Sequence, residues 1–369
     1  MAGPVELRIL HLADVHLGAS FPWLGDRGGA QRRRLRETFG QVLRKAASDG
    51  AHLVLIAGDL FASPRPSQDL TEFVISHLTR LAQSGVETVI AAGEADACDP
   101  DGIYAGGAFQ GTSGVTVLPA APRAVEFPHL GLAVIGRSVG RAQNRGDPVG
   151  NLPPGTQPRT VGLLHVHPSR AGGGEAVVRS AGSRFTYFAL GGSHRTLDVS
   201  TDGVVAWYPG SLELVVQEEH EGAALWVEVG AGGVKVTTVP VGRRRFKRIV
   251  LEPAMHATQE ALATEIEGHA DGNLALEVRL AGRAHPAQHI DTQDLEQTLG
   301  SRFFALRVVD EAMVDLSLLE APQIPEINVV GKFSTLMRQQ LDQARSEAEG
   351  QRVSAAFRLG LWLLRGQGR

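Results

Sequence analysis

The sequence predicts an α/β (α+β) fold: two β-sheets packed as a sandwich and flanked by helices, then a small α+β domain, then a helical C-terminal segment. Three observations carry this. The first hundred or so residues alternate apolar strand-like runs with helical stripes, the pattern of a largely parallel sheet. Beyond residue 110 the chain becomes strand-rich, with Gly and Pro turns between short runs, which suits a second sheet packed on the first. Near Gly242 the composition shifts again. The predicted domains are residues 1–241, 242–319 and 320–369.

The elements follow in order. VELRILHLAD is a strand that enters a polar turn, and residues 35–46 place Leu35, Phe39, Val42, Leu43 and Ala46 on one helical face. AHLVLIAGD, 51–59, is a continuous apolar run and reads as a buried strand. Leu70, Phe73, Val74, His77, Leu78 and Leu81 form a second helical stripe, and ETVIAAG a third strand. The strand-rich stretch supplies GVTVLP, LGLAVIG, TVGLLHVH, RFTYFALGG, GVVAWYPG, LELVVQ, AALWVEVG and VKVTTVPV. A long Pro- and Gly-rich loop is expected over 141–159. RRFKRIVLE, NLALEVRLAG and RFFALRVVD read as strands of the small domain, with a helix over ATQEALATEIEGH. After a Pro-rich hinge at 320–328, Phe333, Leu336, Met337, Leu341 and Ala344 share a helical face. Val353, Ala356, Phe357, Gly360, Leu361 and Leu364 share another.

Composition narrows the class of protein. A chain of 369 residues exceeds one ordinary core, and 43% hydrophobic with 21% charged residues is a globular balance. The net charge of −4 gives no global pull on nucleic acid, although QRRRLRE at 31–37 and GRRRFKR at 242–248 are local basic runs. Cys98 is the only cysteine, so no intrachain disulfide forms and a reducing compartment is expected. No signal peptide and no bilayer-length apolar run are visible, so a cytoplasmic protein without a membrane partner is expected.

Polar side chains recur where apolar runs end. Asp14 and His16 stand two apart after the first strand, and alternate residues of an extended segment share a side. Asp59 follows Gly58 at the end of the second strand, His165 and His167 alternate in LLHVHP, and His194 follows YFALGGS. Open α/β sheets gather ligands at the C-terminal ends of their strands. Asp14, His16, Asp59, His165 and His194 together suit a transition metal such as Mn, Fe or Zn, and metal pairs about 3.5–4 Å apart activate water against phosphodiesters. One stretch departs from this order. IAAGEADACD, 90–99, ends a strand at Gly93 but sets Ala95 between Glu94 and Asp96.

The motifs D-V-H-L-G (14–18), G-D-L-F (58–61), L-L-H (163–165), Y-F-A-L-G-G-S-H (187–194) and Y-P-G-S (208–211) resemble the calcineurin-like metallophosphoesterases. More narrowly, they are similar to the SbcD and YhaO-type nuclease subunits of DNA double-strand-break repair, over roughly residues 6–250. The resemblance implies that Asp14, His16, Asp59 and His194 hold a first metal, Mn or alternatively Fe or Zn. It assigns a second metal to Asp59, Glu94, His165 and the position of Gly192, where the family has Asn at 94 and His at 192. It sets the family's catalytic His at Ala95. The first set is complete and the second depleted. Loss of an acid–base group typically costs about 10²–10⁴-fold in rate, so an attenuated or lost nuclease is expected. His167 is a weaker candidate to replace the missing ligand.

The same resemblance extends to the rest of the chain. The segment 242–319 is similar to a capping domain that guides DNA, with Arg243, Arg244, Arg245, Lys247 and Arg248 facing phosphates. Arg32, Arg33, Arg34 and Arg36 read instead as the wet face of their helix. The tail resembles the segment that binds the coiled-coil base of an SbcC or YhaN-type SMC-like ATPase, through Phe333, Leu336, Leu341, Val353, Phe357, Leu361 and Leu364. A homodimer is implied. Two other readings stand beside this one: an active Mn-dependent exo/endonuclease with a rewired second site, and a phosphodiesterase on a small nucleotide.

Overall fold

The computed structural model describes residues 6–140, 149, 151–169, 173–201, 203–285, 289–314 and 329–364. The hinge expected at 320–328 and most of 141–150 lie outside these residues. The chain divides into two compact units, Met1–Arg245 and Phe246–Arg369.

In the first unit one six-stranded sheet contains β1 (Leu7–Leu12), β2 (Leu53–Ala57), β3 (Glu87–Ala91) and β4 (Val115–Val117). These four run parallel. Beside β1 lie β11 (Ala223–Gly230) and β12 (Gly233–Pro240), both antiparallel to their neighbours. The second sheet contains β5 (Arg123–Phe127), β6 (Leu132–Gly136), β7 (Arg159–His165), β8 (Tyr187–Gly191), β9 (Leu197–Asp198) and β10 (Val205–Tyr208). Its order is β5-β6-β7-β8-β10-β9, with β6, β7, β8 and β10 parallel. This is the sandwich that the sequence predicts, and it is consistent with the calcineurin-like phosphoesterase fold.

Alternation explains how the sheets face each other. Leu7, Ile9, Leu53, Leu55 and Val89 from one sheet meet Leu132, Val134, Val161, Leu163 and Tyr187 from the other in a dry layer. The outer face of the second sheet buries Ile135, Leu164, Phe188 and Leu190 with Val177 and Val178, which lie on α3 (Gly173–Ala181). Beside the first sheet are α1 (Gly28–Ser48) and α2 (Gln68–Gln83), which pack on each other, with α2 also against β3 and β4. Ser67 starts α2, its hydroxyl accepting from Leu70 N–H.

LELVVQ corrects the sequence reading: it is not a strand. Leu212, Leu214 and Val215 are buried as in a strand, but the backbone is spent elsewhere. Gln31 of α1 donates Nε2–H to Leu214 O at 2.6 Å. Glu213, fully buried, accepts from Thr38 Oγ1 (2.8 Å), Arg34 Nε (3.2 Å), Arg243 N (3.1 Å) and Arg244 N (3.2 Å).

The second unit holds a three-stranded sheet of β13 (Arg245–Leu251), β14 (Leu274–Leu280) and β16 (Ala305–Asp310), in the order β13-β14-β16. A core of Leu276, Val278, Val308, Leu262 and Leu295 joins that sheet to α4 (Gln259–Glu267) and α5 (Thr292–Leu299). A short pair, β15 (Arg283–Ala284) and β17 (Met313–Val314), completes the strands. The helices α6 (Val329–Asp342) and α7 (Glu347–Leu364) pack against each other, with Phe333 and Phe357 edge to face at 5.8 Å. Arg358 of α7 reaches Asp310 at 2.6 Å. Among the described residues no helix is long and apolar enough to cross a membrane.

Candidate metal centre

The parallel strands β1, β2, β3, β7 and β8 deliver their C-terminal ends to one edge of the sandwich. Just past β1 and β2 the two chains stay joined: Asp14 N–H donates to Gly58 O (3.1 Å), His16 N–H to Asp59 O (2.8 Å) and Leu17 N–H to Leu60 O (2.9 Å). The D-x-H pair is not extended, as its spacing suggested. Asp14, His16 and Asp59 all take left-handed φ near +50°, which costs energy for a residue with a Cβ. Three of the five described non-glycine residues with positive φ are therefore at this edge, where such strain concentrates at functional sites.

The side chains then converge. His165 Nδ1 lies 2.9 Å from Ala57 O. A carbonyl only accepts, so Nδ1 carries the proton and Nε2 presents its lone pair, 3.5 Å from Asp59 Oδ2. A hydrogen bond that fixes a ring this way is the usual support for a histidine ligand. Gly58 makes the approach possible: with φ +92° it would place a Cβ 2.2 Å from that ring nitrogen. His16 Nε2 lies 3.6 Å from the same Asp59 oxygen and 3.3 Å from His194 Nε2. Asp14 Oδ2 accepts from Gly192 N–H at 2.9 Å, and Asp59 Oδ1 accepts from Ala95 N–H at 2.8 Å.

Burial sets the electrostatics. It pushes the Asp14 carboxyl up to about 7 and the His194 imidazole down to about 4, and it lowers His16 as well. Burial also acts to lower His165, but the Asp59 and Asp14 carboxylates outweigh it and raise that imidazole. Two neutral imidazoles with facing nitrogens 3.3 Å apart suit a shared cation. Ligand atoms bound at about 2.1 Å to one ion stand roughly 3–3.5 Å apart. Among the described residues, Asp14, His16 and His194 form one group within metal reach and Asp14, Asp59 and His165 another. This donor set fits a metal. Glu94 is exposed and in neither group, and His167, also exposed, turns to Ser169 Oγ at 2.7 Å.

The comparisons with known proteins agree with this chemistry. Residues 7–146 match the calcineurin-like phosphoesterase family. The matched segment carries β1 to β6 with Asp14, His16 and Asp59. Two curated relatives are DNA double-strand break repair proteins Mre11. The one from Methanopyrus kandleri is 34% identical over 87 residues, 24% of this chain and 18% of that protein. The one from Aeropyrum pernix is 37% identical over 92 residues, 24% of this chain and 21% of that protein. The chain thus spans about a fifth of the length of each. A solved structure of a predicted phosphoesterase from Streptococcus pneumoniae TIGR4 covers 64% of this chain and 99% of its own, at 12% identity and a TM-score of 0.30, too low to carry an argument.

Other groups also build this edge. Asp96 is fully buried and holds the turn after β3, accepting from Gly93 N–H (2.7 Å), Phe61 N–H (3.1 Å) and Tyr104 Oη (2.7 Å). Burial raises it to about 6. Its place in G-E-A-D marks it, but nothing marks Tyr104. The backbone donors at Ala95 and Gly192 belong to no residue type and have no sequence signal.

The remaining expected residues are placed as follows. Arg243, Arg244 and Arg245 lie in the first unit, Lys247 and Arg248 in the second. Arg243, Arg245 and Arg248 are exposed, but Arg244 donates to Gln31 Oε1 at 2.8 Å and Arg248 to Glu277 Oε1 at 2.6 Å. In the tail Phe357 and Leu361 are fully buried, Phe333, Leu341 and Val353 half-buried, and Leu336 and Leu364 exposed.

Proposed function

We propose that this chain is the nuclease-type subunit of an SbcCD-like DNA-processing complex, with attenuated or lost phosphodiester hydrolysis. Asp14, His16, Asp59, His165 and His194 would hold metal, Mn being the first candidate. The observation that carries the reading is the meeting of these five side chains beside Ala95, where the family pattern has its catalytic histidine. A bound cation supplies charge against the phosphate oxygens and an acidified water. The chain's own residues orient that centre: Ala57 O fixes the His165 ring and Gly192 N–H fixes Asp14. Ala95 brings only a backbone N–H, so no side chain there donates a proton to the leaving oxygen. The similarity to two DNA double-strand break repair proteins supports DNA as the polymer, and exposed Leu336 and Leu364 of the tail helices are where an SMC-like ATPase would bind.

A second reading, an active Mn-dependent exo/endonuclease, is favoured by one observation: Asp14, Asp59 and His165 form a group within metal reach besides that of Asp14, His16 and His194. Cleavage of linear duplex DNA in Mn²⁺ separates the two. The proposed reading expects DNA binding with little or no cleavage, and a rise of about 10²–10⁴-fold in Ala95→His. Robust wild-type cleavage that Asp59→Asn abolishes would establish the second reading instead.

A further inference from the structure

The turn after β3 is tied to the loop after β2 by one side chain. Asp96, fully buried, accepts from Gly93 N–H (2.7 Å) with Oδ1 and from Phe61 N–H (3.1 Å) and Tyr104 Oη (2.7 Å) with Oδ2. Gly93 opens the turn that carries Ala95, and Phe61 stands two residues beyond Asp59. Both partners of the Ala95–Asp59 hydrogen bond are therefore held from a single carboxylate. That bond decides how Asp59 is presented. Ala95 N–H takes Oδ1 at 2.8 Å, which leaves Oδ2 facing His165 Nε2 at 3.5 Å and His16 Nε2 at 3.6 Å. The turn lies close against Asp59: a Cβ at Gly93 would collide with Asp59 Oδ1 and stand 2.5 Å from Asp59 N.

Tyr104 steadies that carboxylate. Its ring packs beside Phe61 (6.4 Å between centroids) and Phe109 (5.7 Å). Burial and the Asp96 carboxylate raise its hydroxyl well above the ordinary value, so it stays protonated and donates. Asp59 itself needs outside support, because its φ of +52° is a strained conformation that its surroundings must hold. Neither Asp96 nor Tyr104 belongs to a donor group. We infer that Asp96, seated by Tyr104, is a positioning residue for the metal centre: it holds Ala95 N–H on Asp59 Oδ1 and so fixes Oδ2 as the oxygen that faces the cation. The inference rests on the metal-binding part of the proposed function, not on its DNA or ATPase parts, and it holds for one cation or two.

Calorimetric titration of the metal-free full chain with Co²⁺, with the visible Co²⁺ spectrum recorded in parallel, tests it. Asp96→Asn keeps the side-chain shape but sets an amide nitrogen where a carboxylate oxygen accepts. It should weaken Co²⁺ binding by about 10–100-fold and shift the visible bands. Tyr104→Phe should act in the same direction, by about 10-fold. Thr38→Val removes a buried hydroxyl of α1 that donates to Glu213. It should lower the melting temperature yet keep wild-type affinity and bands, which separates lost positioning from lost stability. Folded Asp96→Asn and Tyr104→Phe proteins with wild-type affinity and bands would overturn the inference and leave the metal reading standing, as would an equal loss of affinity in Thr38→Val. Should Asp96→Asn not fold, Tyr104→Phe decides alone. No Co²⁺ binding by the wild type would remove the metal reading itself, and this inference with it.

Discussion

His11 lies on β1 between Ile9 and Ala13 of the dry layer, and its Nδ1 faces Tyr187 Oη of the opposite sheet at 2.9 Å. Burial drives its imidazole down to about 3 from the ordinary 6.5. Between those values the unfolded chain binds a proton that the native chain refuses. Native stability is therefore lost as pH falls through that window, by up to about 1.4 kcal/mol per pH unit. Urea unfolding from pH 7 to 4 should show a shallower acid loss in His11→Gln than in the wild type; equal slopes would refute this. Glu213 is a second buried polar centre. Glu213→Ala leaves Arg34 Nε, Thr38 Oγ1 and two backbone N–H groups without their acceptor, and a loss of about 3–5 kcal/mol is expected by urea titration at pH 7. At this scale the sequence displays Asp14, His16, Asp59, His165 and His194, because polar side chains ending apolar runs stand out. It hides Glu213 inside an apolar run, and it hides the N–H donors of Ala95 and Gly192, which depend on backbone geometry alone.

Elements were legible where periodicity was long. The stripes at 35–46 and 70–82 find α1 and α2, although α1 begins as early as Gly28. α5 has only Leu295 and Leu299 to mark a stripe and α3 opens on two glycines, so neither declares a period, whereas α4, as short as α3, does. LELVVQ shows the opposite failure: burial without pairing looks like a strand in composition. The tail helices carry one apolar pattern, part of it buried and part exposed. Phe357 is fully buried, so Phe357→Ala should cost about 3–5 kcal/mol. Leu336 is 54% exposed, so Leu336→Gln should stay within about 0.5 kcal/mol of wild type while weakening capture of the proposed ATPase partner. Thermal unfolding and a pull-down with that ATPase check both halves. Unchanged capture would detach Leu336 from the partner surface.

For the whole molecule, the two-sheet architecture follows from the change of periodicity near residue 110, and the site follows from parallel strands of both sheets ending together. The division of labour between the two units does not follow from pattern, since Arg243 to Arg248 run across the boundary between them. The central claim is that the edge where these strands end binds a divalent cation. Anomalous diffraction from crystals equilibrated with Mn²⁺ tests it directly. The account predicts a strong peak within the cluster of Asp14, His16, Asp59, His165 and His194. No peak within that cluster would contradict it.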